Sequence, residues 1–158
     1  MDVPSYCTAR ILVLACGNRL RGDDGFSPVV ADRLRDMDLP EGTMVVDAGT
    51  AVGSILLDLM ISDAVPDRIV LLDIGDFGGE VGDMMLLGPE DIPESEGMYL
   101  HTPPEGSMLR EIAGRGVDVK ILLVQAGSIP DEVTSEVSPE LMRRLPEVLA
   151  RVMELLKP

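Results

Sequence analysis

The sequence predicts an α/β domain: a three-layer sandwich around a mostly parallel, doubly wound sheet of about five strands, with one antiparallel strand at an edge. Short apolar runs without a helical period, such as Ile11-Leu12-Val13-Leu14-Ala15-Cys16 and Ile69-Val70-Leu71-Leu72, read as strands covered on both faces. Segments with apolar residues at helical spacing stand between them. Strand and helix alternate at the pitch of right-handed β-α-β crossovers, which makes neighbouring strands parallel.

Taken in order, Arg10 to Cys16 forms the first and central strand and ends at Gly17. Beyond the Gly17–Gly25 loop, Ser27 caps a helix that accepts Pro28 in its first turn, carries Val29, Val30, Leu34 and Met37, and ends near Pro40. Thr43 to Asp47 is a second strand, closed by Ala48-Gly49-Thr50, and Ser54 to Met60 is a second, strongly apolar helix. Arg68 to Asp73 is the third strand. Gly75 to Gly82, rich in glycine and acid, is a turn, and Asp83 to Leu87 supplies the antiparallel edge. Pro89 to Gly97 carries acids and no base, as a solvated loop does. Pro103 or Pro104 opens a helix that runs through Leu109 and Ile112 to Gly114, and Val117 to Ala126 is the last strand. Ser138-Pro139-Glu140 begins a terminal helix with an apolar face of Leu141, Leu145, Val148, Leu149, Val152 and Leu155.

Length and charge narrow the function classes. With 158 residues, 46% of them apolar, the chain fills one core, and residues 1–158 read as a single domain. A formal charge of -15 opposes binding to nucleic acid or anionic lipid and suits a basic protein partner. No apolar run approaches the roughly 20 residues of a membrane span, and no signal peptide is visible, so a cytoplasmic protein is expected. Cys7 and Cys16 are too few for a disulfide scaffold and lack metal-pair spacing; buried, inert thiols are expected. Two Phe, two Tyr and no Trp leave little for stacking on bases or flavins, while ten Met suit adaptable core packing.

In an open α/β sheet, ligands bind beyond the carboxyl ends of the strands where strand order reverses. With a flavodoxin-like or phosphorylase-like order that point lies between the first and third strands. Asp24 sits in the loop after the first strand and Asp73 ends the third, so their carboxylates flank one crevice. His101, the only histidine, lies in the crossover before the third helix, again on the carboxyl side. Two carboxylates and an imidazole leave coordination positions open on nickel, zinc or a similar ion. Structural roles compete for each residue: Asp23 is expected to cap a helix or meet its dipole, and Asp47 to organise a strand-end turn through backbone amides. The Gly17–Gly25 loop follows a strand and precedes a helix as a phosphate loop would. It lacks both G-x-G-x-x-G and the lysine of a P-loop, and adjacent Asp23 and Asp24 repel pyrophosphate, so it is suited to a cation.

The run Gly17-Asn18-x-Leu20-x-Gly22-Asp23-Asp24-Gly25, Asp47-Ala48-Gly49-Thr50, Asp73 at a strand end and the later His101 together resemble the hydrogenase maturation protease family. Within it they resemble the processing subunits of the deazaflavin-reducing nickel–iron hydrogenases of methanogens. The resemblance runs from Arg10 through the terminal helix. It implies an aspartic-type endopeptidase that removes a C-terminal extension from a hydrogenase large-subunit precursor after nickel insertion, with Asp24, Asp73 and His101 contacting the metal. Nickel would be carried by the precursor, with zinc, cadmium or a similar ion able to substitute, and the protein would be a monomer or weak homo-oligomer. Relatives often carry Glu where Asp24 stands, and Thr102-Pro103-Pro104-Glu105-Gly106 departs from the family pattern.

No serine–histidine–acid or cysteine–histidine pattern and no H-E-x-x-H zinc motif is present, and covalent catalysis is disfavoured. Two other classes stay open. One is a nickel-sensing accessory subunit or chaperone that cuts nothing. The other is a nucleotide or small-molecule module, which the acidic loop and scarce aromatics oppose.

Overall fold

Five strands, β1 (Ile11–Cys16), β2 (Thr43–Gly49), β3 (Arg68–Gly75), β4 (Met84–Leu87) and β5 (Asp118–Gln125), form one sheet in the computed structural model. The structure describes residues 2–92 and 104–158. Strand order is β2-β1-β3-β5-β4. β2, β1, β3 and β5 run parallel, and β4 pairs antiparallel with β5 at the edge, with Met84 opposite Val124 and Leu87 opposite Ile121. The reversal of order therefore falls between β1 and β3, as the sequence predicts.

Side-chain alternation sorts the strands' residues into two cores. Leu12, Leu14, Ile69, Leu71, Ile121 and Leu123 face one layer, formed by α2 (Val52–Ile61) and α3 (Pro104–Gly114). Val13, Val70, Leu72, Leu122 and Val124 face the other, formed by α1 (Phe26–Arg35), α4 (Pro139–Met142) and α5 (Leu145–Leu156). Every residue of β1 is buried because both layers close over it, which is why its sequence carries no polar position. Leu56 and Leu59 of α2 and Phe26 of α1 are fully buried, each contributing about 1.5–3 kcal/mol of transfer free energy. Cys7 and Cys16 are both buried. Methionine pads the margins instead of filling the centre: Met44, Met60, Met85, Met84, Met142 and Met153 are partly buried against the two cores.

Several local expectations need correction. Ser27 does not cap α1. A one-turn 3-10 helix, Gly22–Gly25, runs straight into α1, the Phe26 amide donates to the Asp23 carbonyl, and Ser27 is buried in the first turn. α1 stops at Arg35, leaving Met37 outside it and 39% exposed. The terminal segment is two helices. Ser138 caps α4 as expected, its hydroxyl accepting from the Leu141 amide, but Pro146 has no N–H for the Met142 carbonyl, and the chain restarts as α5. Pro89 to Gly97 is only partly a solvated loop: Pro89–Asp91 forms a 3-10 turn, and Pro89 and Ile92 are buried. The rest of that segment lies outside the described residues.

Candidate active site

β1 ends at Gly17, where the backbone adopts φ 126° and a Cβ would lie 2.1 Å from the Asp24 carbonyl oxygen. Only glycine lets the loop return so closely on itself, and the return seats Asp24 at the end of β1. The Asn18 amide then donates to Asp24 Oδ2 at 3.0 Å, and the Leu20 amide donates to Asn18 Oδ1 at 2.9 Å. The Gly22–Gly25 turn that carries Asp24 packs against β3.

Asp73 comes to the same place by register. Ala15 pairs with Leu72, so Asp73 is level with Cys16, the last residue of β1, one strand spacing of about 4.8 Å away. It lies on the Leu71 face of β3, toward α2 and α3. Its Oδ1 accepts from the Ile74 amide at 2.8 Å. Asp24 is 3% exposed and Asp73 fully buried, so two carboxylates enter the protein interior at the switch point of the sheet. Aspartates are almost never fully buried unless paired, and a backbone amide donates to each of these. His101 lies outside the described residues. Among the described residues no three of histidine, cysteine, aspartate and glutamate form a group able to hold a metal. Two buried carboxylates near the carboxyl ends of β1 and β3 nevertheless present the oxygen donors that suit a divalent cation with open positions.

Asp23, the neighbour of Asp24, is a structural carboxylate of another kind than expected. It does not serve the helix that follows it. Its Oδ2 accepts from the Gly127 and Ser128 amides at 2.7 and 2.8 Å and from the Ser138 hydroxyl at 3.0 Å, and its Oδ1 accepts from the Ser138 amide at 2.7 Å. Backbone bonds continue the seam, with the Asp23 amide on the Ser128 carbonyl and the Gly22 amide on the Thr134 carbonyl. Asp47 behaves as expected: its Oδ1 accepts from the Gly49 amide at 3.1 Å and turns the chain after β2.

Two further residues order the rim. The Arg19 guanidinium grips Asp32 of α1 through two oxygens, at 2.9 and 3.0 Å, and Asp47 of β2 through one, at 2.8 Å. Asp32 is held below the usual carboxylate range, first by its hydrogen bond to Arg19, and Arg19 is raised by the same bond. A depression of about 230 Å³ opens here, lined by Gly17, Asn18, Arg19, Asp47, Gly49 and Thr50. On the other flank, Gln125 at the end of β5 is 5% exposed. Its Oε1 accepts from the Phe77 and Gly79 amides, and its Nε2 donates to Asp76 Oδ1 and the Ala126 carbonyl. Gln125 thereby fixes the loop that follows Asp73. Neither residue was assigned a role from the sequence; the signals available were a lone polar residue ending an apolar strand and one of two arginines beside the Asp23-Asp24 pair.

Fold and site together define a class: an α/β domain whose sheet presents paired buried carboxylates, instead of a phosphate-binding loop, at its switch point. The comparisons agree on which. The family model for hydrogenase maturation protease matches residues 28–155, a range that includes Asp73 and His101 and begins just after Asp24. Coenzyme F420 hydrogenase subunit delta of Methanothermobacter thermautotrophicus is 26% identical over 155 residues, covering 92% of this chain and 94% of that protein. The NiFe hydrogenase maturation protease HycI of Thermococcus kodakarensis superposes with a TM-score of 0.69 at 26% identity, over 95% of this chain and 94% of the other. The hydrogenase maturating endopeptidase HybD of Escherichia coli does so with a TM-score of 0.70 at 25% identity, over 93% and 91%. The chain belongs to the hydrogenase maturation protease family. It is a hydrolase, an endopeptidase of hydrogenase large-subunit processing.

Proposed function

We propose that this chain, acting as one cytoplasmic domain, removes the C-terminal extension of a nickel-loaded hydrogenase large-subunit precursor, with Asp24, Asp73 and His101 contacting the nickel that the precursor carries. The observation that supports the reading is the pair of buried carboxylates at the ends of adjacent strands β1 and β3, each oriented by a backbone amide. His101 is placed in this group by the family resemblance; it stands three residues before the first residue of α3, Pro104, the helix that packs on the Asp73 face of the sheet.

Asp24 and Asp73 are acceptor groups held at fixed positions, so neither has to reorganise when a cation arrives, and each binds better for that. Engagement of the substrate's own metal anchors the scissile peptide beside the crevice and restricts cleavage to precursors already loaded. Nickel so held serves either as a recognition tag or as a Lewis acid that polarises the scissile carbonyl and activates a water. A carboxylate not engaged by metal can take the proton of that water. With three side chains and open positions, the isolated protein is expected to retain nickel poorly.

The test is cleavage of nickel-loaded and nickel-free precursor followed by intact mass, for wild type and for Asp24→Ala, Asp73→Ala and His101→Ala. The expected result is loss of the extension only from loaded precursor, abolished by each substitution. A precursor that binds and is never cut would leave a non-catalytic nickel-sensing accessory subunit as the correct reading.

A further inference from the structure

We propose that Arg19 is a positioning residue for cleavage: its guanidinium fastens the Gly17–Gly25 loop to α1 and β2 and so sets the Asn18 amide that orients Asp24. The inference rests on the active-site reading above. Arg19 lies between the two hydrogen bonds that shape the loop, Asn18 amide to Asp24 Oδ2 and Leu20 amide to Asn18 Oδ1. Its side chain reaches outward to three anchors on two elements: Asp32 and the Pro28 carbonyl of α1, and Asp47 of β2. The contacts close a ring. Asp47 Oδ1 receives the Gly49 amide, the Gly49 carbonyl receives the Gly17 amide, and Gly17 leads directly into Asn18. Gly25, just past Asp24, closes on Arg19 from the far side of the loop, where a Cβ would meet the Arg19 Cα at 3.1 Å.

The clamp is specific to an arginine fork. One planar group contacts both oxygens of Asp32 and a single oxygen of Asp47, a geometry that an ammonium does not reproduce. These side chains are 27–49% exposed, so the pairs contribute little to global stability. Their consequence is local, in where the Asp24 carboxylate is held.

The experiment compares wild type, Arg19→Gln, Arg19→Lys and, as a control for lost charge, Arg151→Gln on α5, whose partner is Glu154. Amide hydrogen exchange of Asn18, kcat and KM for precursor cleavage, and melting temperature are measured on each. In Arg19→Gln, Asn18 exchange is expected to accelerate and kcat to fall about tenfold, while KM stays within about twofold and the fold is retained. Arg19→Lys is expected to recover only a small part of kcat, and Arg151→Gln to match wild type. Unchanged kcat alongside faster Asn18 exchange would reduce Arg19 to a structural contact, and full recovery by lysine would replace the clamp with a simple charge; either result overturns the proposal. If wild type cuts no precursor, the activity reading fails. The positioning role in cleavage falls with it, and Asn18 exchange in Arg19→Gln then reports only whether the guanidinium holds the loop.

Discussion

Replacing Asp23 by Ala removes an acceptor that is 1% exposed and serves four donors, namely the Gly127, Ser128 and Ser138 amides and the Ser138 hydroxyl. A donor left buried without its acceptor costs about 1–3 kcal/mol. These donors sit in a partly buried loop that water can reach on relaxation, so the lower figure applies, and four of them give about 4 kcal/mol. That is a large fraction of the roughly 5–15 kcal/mol that holds a domain of this size folded. At about 2–4 °C per kcal/mol, the midpoint should fall by about 8–16 °C. Asp23→Asn is the sharper variant. Its amide oxygen can keep the three donors on the Oδ2 side, but its NH₂ then faces the Ser138 amide, so about half the loss is expected. Thermal and urea denaturation followed by circular dichroism measure both. Residue-resolved amide exchange should show Gly127, Ser128 and Ser138 opening ahead of β5. Midpoints of both variants within about 1 °C of wild type, with these amides still protected, would refute the assignment of Asp23 as the tie between the two loops.

Gln125→Leu preserves volume but removes the acceptor for the Phe77 and Gly79 amides and the donor to Asp76. A loss of about 2–3 kcal/mol is expected by urea titration. The Asp76 carboxyl, held below its ordinary value first by Gln125 and then by the Gly78 amide, should rise when titrated by NMR. Tyr6 donates to Asp58; that bond and burial push its phenol up to about 12 from 10.0. The folded chain therefore holds the Tyr6 proton more tightly than the unfolded chain. Its contribution is complete below pH 10 and is lost as pH rises toward 12, so wild type should lose stability more steeply than Tyr6→Phe across that window. Parallel slopes for the two would count against it. The charge of -15 predicts a basic docking face on the precursor. Its association rate should fall about tenfold as salt rises from about 0.05 to 0.5 M, measured by stopped flow, and a flat salt profile would remove that expectation.

The inner strands β1, β3 and β5 were legible because burial on both faces leaves a continuous apolar run, and no surface helix reads that way. Asp73 stood out as the charged residue after the apolar run Ile69 to Leu72, although β3 does not end there as expected but continues, buried, to Gly75. Asp24 stood out through topology and the family motif, since nothing else local tells it from Asp23. The role of Asp23 was illegible because its partners stand more than 100 positions away, at Gly127, Ser128 and Ser138, in a loop with no pattern of its own. The split between α4 and α5 was written in Pro146 but masked by an apolar period that continues across it. Ser27 misled because a capping residue and a buried small residue look alike in sequence. What separates them is the 3-10 turn of Gly22–Gly25, which satisfies the start of α1 by itself.

The order β2-β1-β3-β5-β4 also dictates a schedule. During synthesis from the N-terminus, β1, β2 and β3 can pair as soon as they emerge, but the other side of β3 waits for β5, and β4, made earlier, has no neighbour until β5 inserts between them. For that interval the nascent chain carries the raw edge of β3, with its apolar run Ile69 to Leu72, and the uncharged Met84-Met85-Leu86-Leu87, both apt to pair with other chains. The loop that Asp23 grasps is made later still. A ribosome-bound or C-terminally truncated chain would therefore hold Asp24 on a loop tied at Arg19 but not at Asp23, making proteolytic competence one of the last properties the molecule acquires.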